Sequence, residues 1–264
     1  MITAKTQHQV INAISKAGKA ILDIYQSGDF GVEMKSDNSP LTLADKAAHD
    51  IIMEVLNKTE EPILSEEGKS TPYSQRKDWK AFWLVDPLDG TKEFIKKNGE
   101  FTINVAYIER GRARTGFVYA PILEDFYLGI NEQMAFKFKL KPGEIMKELP
   151  ATAKILKVKP AEQEMILVGS RSHFNKETEN YIEQLKEEGK DIKFISKGSS
   201  LKLCMVAEGS AHIYPRFGPT MEWDTAAAHA VVSAAGGTVK TPEGKELTYN
   251  KESLLNPYFI ASKK

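Results

Sequence analysis

Two aspartates three positions apart, Asp86 and Asp89, are the residues of this sequence whose type and spacing most directly indicate chemistry. They follow the apolar run at residues 81–85, so we expect a buried strand that gives way to a loop at the first aspartate. Two carboxylates held this close repel each other unless a positive charge lies between them. Carboxylate and carbonyl oxygens suit Mg²⁺ or Ca²⁺ far better than Zn²⁺ or copper. The spacing therefore predicts a divalent-cation site at a strand end, which is typical of phosphate chemistry.

Four further carboxylates could belong to such a site. Glu66 and Glu67 follow a short apolar segment, and Asp224 directly precedes an alanine-rich helical pattern. Asp45 lies in the first turn of a predicted helix. Each also has a purely structural explanation, because the glutamate pair fits a solvated turn and Asp224 fits a helix N-cap. In the same way, Asp45 forms a capping-box pattern with Thr42.

The elements that must position these residues follow two patterns. The first half shows two amphipathic helices and then alternating apolar segments, which are typical of an antiparallel sheet. The predicted helices cover residues 10–24 and 43–56, and the predicted strands cover residues 62–65, 81–85, 101–107, 115–120, 125–130 and 135–140. From about residue 165, strands and helices alternate, which is typical of an α/β arrangement. The predicted elements there are strands at 165–168, 192–195, 211–214 and 259–261, and helices at 176–188, 200–207 and 225–235.

The predicted fold class is therefore α/β, with an α+β N-terminal half and an α/β C-terminal half. The boundary is expected between residues 142 and 160. We expect residues 1–150 to carry most of the metal ligands. Residues 151–264 would carry Asp224 and the residues that determine substrate specificity.

Composition limits the classes of function. The chain has 264 residues, and 36 Lys and Arg balance 36 Asp and Glu, so no overall field recruits nucleic acid or a membrane surface. No apolar run approaches the roughly 20 residues that span a bilayer, so we expect no stable membrane insertion. Cys204 is the single cysteine, which excludes a disulfide framework and fits a reducing compartment. The chain opens with an amphipathic pattern rather than a signal-peptide core, so we expect a cytoplasmic protein.

Taken together, the chemical segments resemble the inositol monophosphatase superfamily of lithium-sensitive, Mg²⁺-dependent phosphatases. The resemblance rests on Ser65-Glu66-Glu67-Gly68, on Trp83-Leu84-Val85-Asp86-Pro87-Leu88-Asp89-Gly90-Thr91, and on Trp223-Asp224. It runs from about Lys35 to the last strand and implies the layered sugar-phosphatase fold. Within the superfamily, the sequence is most similar to the bacterial 3′(2′),5′-bisphosphate nucleotidases, through residues 35–40, 169–173, 198–202 and 214–224.

The resemblance implies a metal site with two or three Mg²⁺ ions. The implied ligands are Glu66, Asp86, the backbone carbonyl of Leu88, Asp89 and Asp224, with Asp86 shared between two ions. Two cations across a phosphate neutralise both the attacking and the departing oxygen.

The resemblance also implies catalytic and substrate-binding roles. Asp45 and the hydroxyl of Thr91 would position and deprotonate the attacking water, with Glu66 as a further catalytic group. The backbone N–H groups of Gly90 and Thr91 would hold the phosphate oxygens. The implied nucleotide contacts are His173, Ser199, Lys202 and Arg216. Of these, Lys202 and Arg216 could pair with a second phosphate, which an inositol monophosphate lacks.

The implied reaction is removal of the 3′-phosphate of 3′-phosphoadenosine 5′-phosphate (PAP), giving AMP, in connection with sulfate assimilation. The alternatives are an inositol monophosphatase or a fructose 1,6-bisphosphatase of the same superfamily, and a protein whose metal site is only structural. The expected partner is a small nucleotide, with the protein a monomer or homodimer. Peripheral association with the inner face of the membrane stays open. Haloacid dehalogenase-type chemistry is disfavoured, because that motif has one residue between its aspartates and this chain has two.

Overall fold

The computed structural model describes residues 2–35, 39–161, 164–170 and 175–264. The helices are α1 Ala4–Ser27, α2 Leu43–Leu56, α3 Tyr73–Arg76, α4 Thr91–Ile95, α5 Lys176–Glu187, α6 Leu201–Glu208 and α7 Glu222–Ala234. The strands are β1 Glu33–Met34, β2 Pro40–Leu41, β3 Ile63–Ser65, β4 Ala81–Asp89, β5 Thr102–Glu109, β6 Arg112–Ala120, β7 Asp125–Ile130, β8 Met134–Lys139, β9 Lys154–Ile155, β10 Glu164–Gly169, β11 Asp191–Ser196, β12 Ile213–Arg216, β13 Gly237–Lys240 and β14 Phe259–Lys263.

The first helix is longer than the predicted residues 10–24, since α1 covers Ala4–Ser27, whereas α2 has the predicted bounds. The Thr3 hydroxyl caps α1 by accepting a hydrogen bond from the Thr6 N–H, and Gly28 ends the helix with φ of 77°. That left-handed conformation favours glycine. Helix α2 begins with the predicted capping box of Thr42 and Asp45, and its bounds match the predicted ones.

The strands form two main sheets. The larger has the order β3-β4-β5-β6-β7-β8-β9, in which β3 and β4 are parallel and the other neighbours antiparallel. The smaller has the order β11-β10-β12-β14-β13, with β10 parallel to both of its neighbours. The first sheet uses strands up to Ile155 and the second uses strands from Glu164 onward. The finer division into halves at residue 150 stays a prediction.

Alternating side chains of the larger sheet build two cores. On one face, Trp83 and Val85 pack with the apolar sides of α1 and α2. On the other face, Phe82 and Leu84 share a core with α6, α7 and the smaller sheet. Helix α7 approaches the sheet so closely that a Cβ on Gly116 would lie 1.9 Å from the carbonyl oxygen of Ala227. The result is a layered α/β fold, as predicted, in which α6 and α7 lie between the two sheets.

Three details differ from the sequence predictions. Strand β4 does not end at Asp86 but continues to Asp89 through a register irregularity. Asp224 is the third residue of α7 and not its N-cap, which is Met221. Sequence periodicity also missed several short elements, namely α3, α4, β1, β2, β9 and β13, because they span too few residues to show a period.

The helices of the described residues 2–35, 39–161, 164–170 and 175–264 bear on membrane insertion. Within them, no helix combines the length and the apolar character needed to cross a bilayer.

Candidate active site

A bulge in β4 brings the two aspartates of the central motif to one side of the sheet. In a regular strand, side chains three positions apart point to opposite faces. Here Asp86 pairs with Asn104 of β5 and Asp89 pairs with Thr102, so two residues of β4 lie opposite the single residue between those partners. The extra residue restores a common face. Asp86 itself is 1% exposed, and its Oδ1 accepts a hydrogen bond from the Leu88 N–H at 3.0 Å.

Carboxylates from three different elements meet beside this bulge. Ligand oxygens of Glu66, Asp86 and Asp224 all lie within 4.8 Å of one another. Glu66 directly follows β3, and its N–H donates to the Val85 carbonyl of β4 at 3.0 Å, which places it next to Asp86. Asp224 is held by the Met221 N–H, which donates to its Oδ2 at 2.8 Å. The structure thus brings together these three carboxylates, which the sequence singled out as candidate metal ligands.

The negative charge of the cluster formed by Glu66, Asp86 and Asp224 is not balanced by nearby positive charge. Burial raises the pKa of Asp86 well above its usual value, and the charges of Glu66, Asp89 and Asp224 raise it further. Burial and the charge of Asp89 likewise raise the pKa of Asp224. Three carboxylates with this arrangement, of which Asp86 is buried and the other two are partly buried, can bind a hard cation, because Mg²⁺ and Ca²⁺ prefer oxygen donors and supply the compensating charge.

Lys35 is a member of the site that sequence reasoning did not assign. Its Nζ lies 2.8 Å from Glu66 Oε1 and 2.5 Å from Glu67 Oε1. Burial acts to lower the pKa of Lys35, but the two glutamates outweigh burial and raise it. Lys35 thus neutralises the outer edge of the carboxylate cluster. The signal available in the sequence was its place at the start of the polar segment 35–40.

Asp45 serves two neighbours, one with each carboxylate oxygen. Oδ2 accepts hydrogen bonds from the N–H and hydroxyl of Thr42 and so forms the cap of α2. Oδ1 lies 3.2 Å from the hydroxyl of Thr91, which is also 3.2 Å from the carbonyl oxygen of Leu88. Burial raises the pKa of Asp45, which is 1% exposed. The capping role and the contact with Thr91 are therefore compatible.

Gly90 makes the turn that brings Thr91 to the site. Its φ is 94°, and a Cβ there would lie 3.2 Å from the carbonyl oxygen of Glu100, so both conformation and space favour glycine. Helix α4 begins at Thr91, as expected from the motif.

Asp89 is held by the second half of the chain. Its Oδ2 accepts hydrogen bonds from the Ser199 hydroxyl at 2.6 Å, the Ser200 N–H at 2.7 Å and the Asn104 side-chain amide at 3.4 Å. These contacts cross 110 and 111 positions of sequence for the two serines. Ser200 was not predicted as a site residue, because no local pattern reports a pairing over that distance. Asn104, on the neighbouring strand β5 and 15 positions from Asp89, was not predicted either.

A cavity of about 300 Å³ opens beside the carboxylates and carries the two predicted basic residues. Its lining includes Glu66, Asp89, Gly90, Thr91, Ser199, Lys202, Tyr214, Arg216 and Asp224. Lys202 Nζ donates to the Ser199 carbonyl and lies 5.6 Å from the centre of the Tyr214 ring. Burial, with a contribution from Arg216, lowers the pKa of Lys202 to about 8 despite the opposing charge of Asp89.

Arg216 is positioned to bind an anion. Its Nη2 donates to the Pro219 carbonyl at 2.8 Å, whereas its buried Nε has no hydrogen-bond partner among the described residues. A buried donor without a partner is costly unless a ligand supplies the acceptor. His173, the remaining predicted substrate contact, lies outside the described residues.

Comparison with known proteins identifies the arrangement. A sequence profile of the inositol monophosphatase family matches residues 4–262. The chain belongs to the inositol monophosphatase family. The enzymes of this family are phosphatases that hydrolyse phosphoric monoesters and depend on metal, so the predicted enzyme class and family are confirmed.

Relatives within the family indicate which of its subgroups this chain resembles. The chain is 45% identical to the 3′(2′),5′-bisphosphate nucleotidase CysQ of Escherichia coli K12 over 258 residues, which are 96% of this chain and 98% of that protein. It is 42% identical to the protein of the same name from Buchnera aphidicola, over 99% of this chain and 95% of that protein. The predicted similarity to bisphosphate nucleotidases is confirmed.

Solved structures agree with the fold. The crystal structure of CysQ from Bacteroides thetaiotaomicron superimposes with a TM-score of 0.88 at 44% identity, covering 99% of this chain and 97% of that chain. Thermotoga maritima IMPase TM1415 superimposes with a TM-score of 0.71 at 24% identity, covering 96% and 89% of the two chains. At that identity the second comparison speaks for the fold alone.

Proposed function

We propose that the chain is a Mg²⁺-dependent 3′(2′),5′-bisphosphate nucleotidase that hydrolyses the 3′-phosphate of PAP to give AMP. The observation that carries the proposal is one cavity whose lining has two kinds of charge: the carboxylates Glu66, Asp89 and Asp224, and the buried cations Lys202 and Arg216. A substrate with two phosphates matches that pattern better than a monophosphate. The names of the relatives point to the same substrate class.

The donor set fits Mg²⁺. Glu66, Asp86 and Asp224 offer only oxygen atoms within 4.8 Å of one another, and their pKa values are raised because burial and mutual repulsion outweigh the nearby positive charges of Lys35 and Arg216. We assign these three as ligands together with Asp89 and the Leu88 carbonyl, for two or three ions. Bound Mg²⁺ would supply the charge that neutralises the phosphate oxygens and favours ionisation of the attacking water.

Asp45 and Thr91 are assigned the movement of the water proton. A water hydrogen-bonded to Thr91 Oγ1 would pass a proton to it while Thr91 passes its own to Asp45 Oδ1, 3.2 Å away. The raised pKa of Asp45 favours accepting that proton. The cap at Oδ2 keeps the carboxylate oriented during the transfer.

Recognition of the nucleotide is assigned to the cavity wall. The N–H groups of Gly90 and Thr91 would bind the reacting phosphate, and Lys202 and Arg216 the other one. The unpartnered Nε–H of Arg216 is a donor left for that second phosphate, beside the positive charge of the guanidinium. His173 stays a predicted contact.

The assay is phosphate release in Mg²⁺ from PAP, 3′-AMP and inositol 1-phosphate. Wild type is expected to prefer PAP, and Asp86→Asn to release nothing. Arg216→Met should raise KM for PAP and leave KM for 3′-AMP nearly unchanged, because 3′-AMP has no second phosphate. Asp125→Asn is the matched control, since it alters a buried aspartate paired with Lys137 and Lys139 outside the cavity.

The outcomes separate the alternatives. Preference for inositol 1-phosphate would keep the metal site and reject the assignment of Arg216. Equal loss of PAP and 3′-AMP turnover in Arg216→Met would also reject it. Absence of phosphate release from all three substrates by wild type would contradict the proposed function.

The single cysteine and balanced charge support a cytoplasmic place for this reaction, with the protein as a monomer or homodimer. Size-exclusion chromatography with light scattering decides between those two states.

A further inference from the structure

Ser199 has an unusual backbone for a serine. It lies in the loop between β11 and α6, and its φ is 53°, in the left-handed region that non-glycine residues rarely adopt. Such a conformation persists only where surrounding contacts hold it. On one side, the preceding Gly198 N–H donates to Glu100 Oε2 at 2.9 Å. On the other, Lys202 Nζ donates to the Ser199 carbonyl.

The hydroxyl of Ser199 is directed to Asp89. It donates to Asp89 Oδ2 at 2.6 Å, and the Thr102 hydroxyl lies 2.6 Å away on its other side. A hydroxyl has a single proton, and a carboxylate is a stronger acceptor than another hydroxyl. In the contact between the two hydroxyl groups, the Ser199 oxygen therefore does not donate its proton to Thr102 and can only accept a hydrogen bond. This leaves Ser199 no proton to donate to a nucleotide.

The contacts on Asp89 are one-sided. All three hydrogen bonds that described residues donate to its carboxylate end on Oδ2. With Oδ2 occupied, Oδ1 is the oxygen left for a cation shared with Asp86 and Asp224. Asp89 is near enough to both for its charge to raise their pKa values.

We propose that Ser199 is a positioning residue that fixes Asp89 so that one carboxylate oxygen faces the cation site, and that it is not a contact of the nucleotide. This deepens the proposed function and rests on its assignment of Asp89 as a metal ligand. It also separates Ser199 from Lys202 and Arg216, with which it shares the cavity wall.

The neighbouring serine provides a matched control. Ser200 holds Asp89 through its backbone N–H, which a change of side chain leaves in place. Its hydroxyl donates instead to Asn104 Oδ1 at 2.8 Å. Ser199→Ala thus removes one donor from Asp89, whereas Ser200→Ala removes the hydroxyl of the next residue, which is buried, and no direct donor.

The experiment measures Mn²⁺ binding by electron paramagnetic resonance without nucleotide, since Mn²⁺ takes the same oxygen ligands as Mg²⁺. Ser199→Ala is expected to weaken Mn²⁺ binding about 10-fold or more, the usual effect of losing a residue that orients a ligand. Ser200→Ala should stay within about twofold of wild type by the same reasoning. At saturating Mg²⁺, KM for PAP should be unchanged in Ser199→Ala, and excess Mg²⁺ should restore kcat.

Two results would overturn the proposal. One is wild-type Mn²⁺ binding in Ser199→Ala with a raised KM for PAP, which would make Ser199 a substrate contact. The other is equal loss in both variants, which would indicate general damage to the loop. If Ser199→Ala does not fold, Ser199→Gly decides, because glycine accepts the positive φ and still lacks the hydroxyl.

The measurements distinguish a failure of the proposed nucleotidase function from a failure of the proposal for Ser199. A wild-type protein that binds Mn²⁺ but leaves PAP intact would contradict the nucleotidase assignment, while the Mn²⁺ comparison would still decide the role of Ser199. A wild-type protein that binds no Mn²⁺ would overturn the proposal for Ser199 itself.

Discussion

Replacing Asp86 with asparagine should stabilise the metal-free protein while it abolishes activity. Asp86 is buried, and its ligand oxygen lies within 4.8 Å of those of Glu66 and Asp224. Two ionised carboxylates at that separation repel by about 3 kcal/mol at an effective dielectric constant of 20. The asparagine amide keeps an oxygen to accept the hydrogen bond from the Leu88 N–H, so the substitution removes charge and little else.

The net gain is smaller than the sum of both repulsions. Raised pKa values mean that the cluster already relieves part of the repulsion by binding protons, and Lys35 neutralises another part at Glu66. We therefore expect a gain of about 2–3 kcal/mol in the free energy of unfolding at pH 8. For a chain of this length, that gain corresponds to a rise of about 4–12 °C in Tm.

The assay is thermal unfolding followed by circular dichroism, with metal removed by chelation and again in Mg²⁺. Asp86→Asn should melt above wild type without metal, and the order should reverse in Mg²⁺, because only wild type gains binding energy from the ion. Asp125→Asn should melt below wild type in both conditions, since it loses partners in ion pairs. A metal-free Asp86→Asn that melts below wild type would refute the electrostatic reasoning.

Further predictions concern pH and the proton path. The contribution of the carboxylate cluster to the stability of the metal-free protein should decrease as pH rises from about 4 toward 8, because the raised pKa values let the folded state hold protons that the unfolded state has released. The difference in the free energy of urea unfolding between wild type and Asp86→Asn, followed across this pH range, measures that contribution. Thr91→Ala should lower kcat by about 100-fold or more while Mn²⁺ binding stays near wild type. Thr91→Ser, which keeps the hydroxyl, should recover most of kcat. Equal kcat in wild type and Thr91→Ala would exclude the hydroxyl from the proton path. His229 is buried 2.7 Å from the Tyr249 hydroxyl, and burial, with Arg112, lowers its pKa to about 4. Because the folded pKa of His229 is depressed, its contribution to the free energy of unfolding should fall by up to about 3 kcal/mol as pH drops from 6.5 to 4. His229→Gln should remove that part of the pH dependence.

The sequence predicted the chemistry of the site better than its geometry. Residue types and spacing identify Asp86 and Asp89 because a Pro-Leu spacer between two carboxylates at a strand end has few other uses. The bulge that aligns the two could not be predicted, since it depends on the register between β4 and β5. Long regular elements such as α2 were predicted to the residue, because periodicity and a capping box mark both ends.

Contacts between segments far apart in the sequence escaped prediction for a different reason. Lys35 meets Glu66 across 31 positions, and Ser199 meets Asp89 across 110. Nothing local in either segment records its partner, because the pairings follow from how the layers stack. Ser199 was predicted to contact the nucleotide from its place in a shared motif, whereas the structure directs its hydroxyl to Asp89.

Asp45 shows why a structural and a catalytic explanation need not compete. Its carboxylate has two oxygens, and the cap of α2 uses Oδ2 alone. That cap fixes the side chain so that Oδ1 faces Thr91, whose position is set in turn by the left-handed turn at Gly90. The stability of the helix start and the orientation of the candidate base therefore depend on the same contacts. The opposite holds for Asp86, where the charge that a cation requires destabilises the metal-free fold. Within one site, then, the carboxylate assigned to proton transfer is oriented by hydrogen bonds from the protein, while Asp86, among the carboxylates assigned to the metal, needs the ion to compensate its charge.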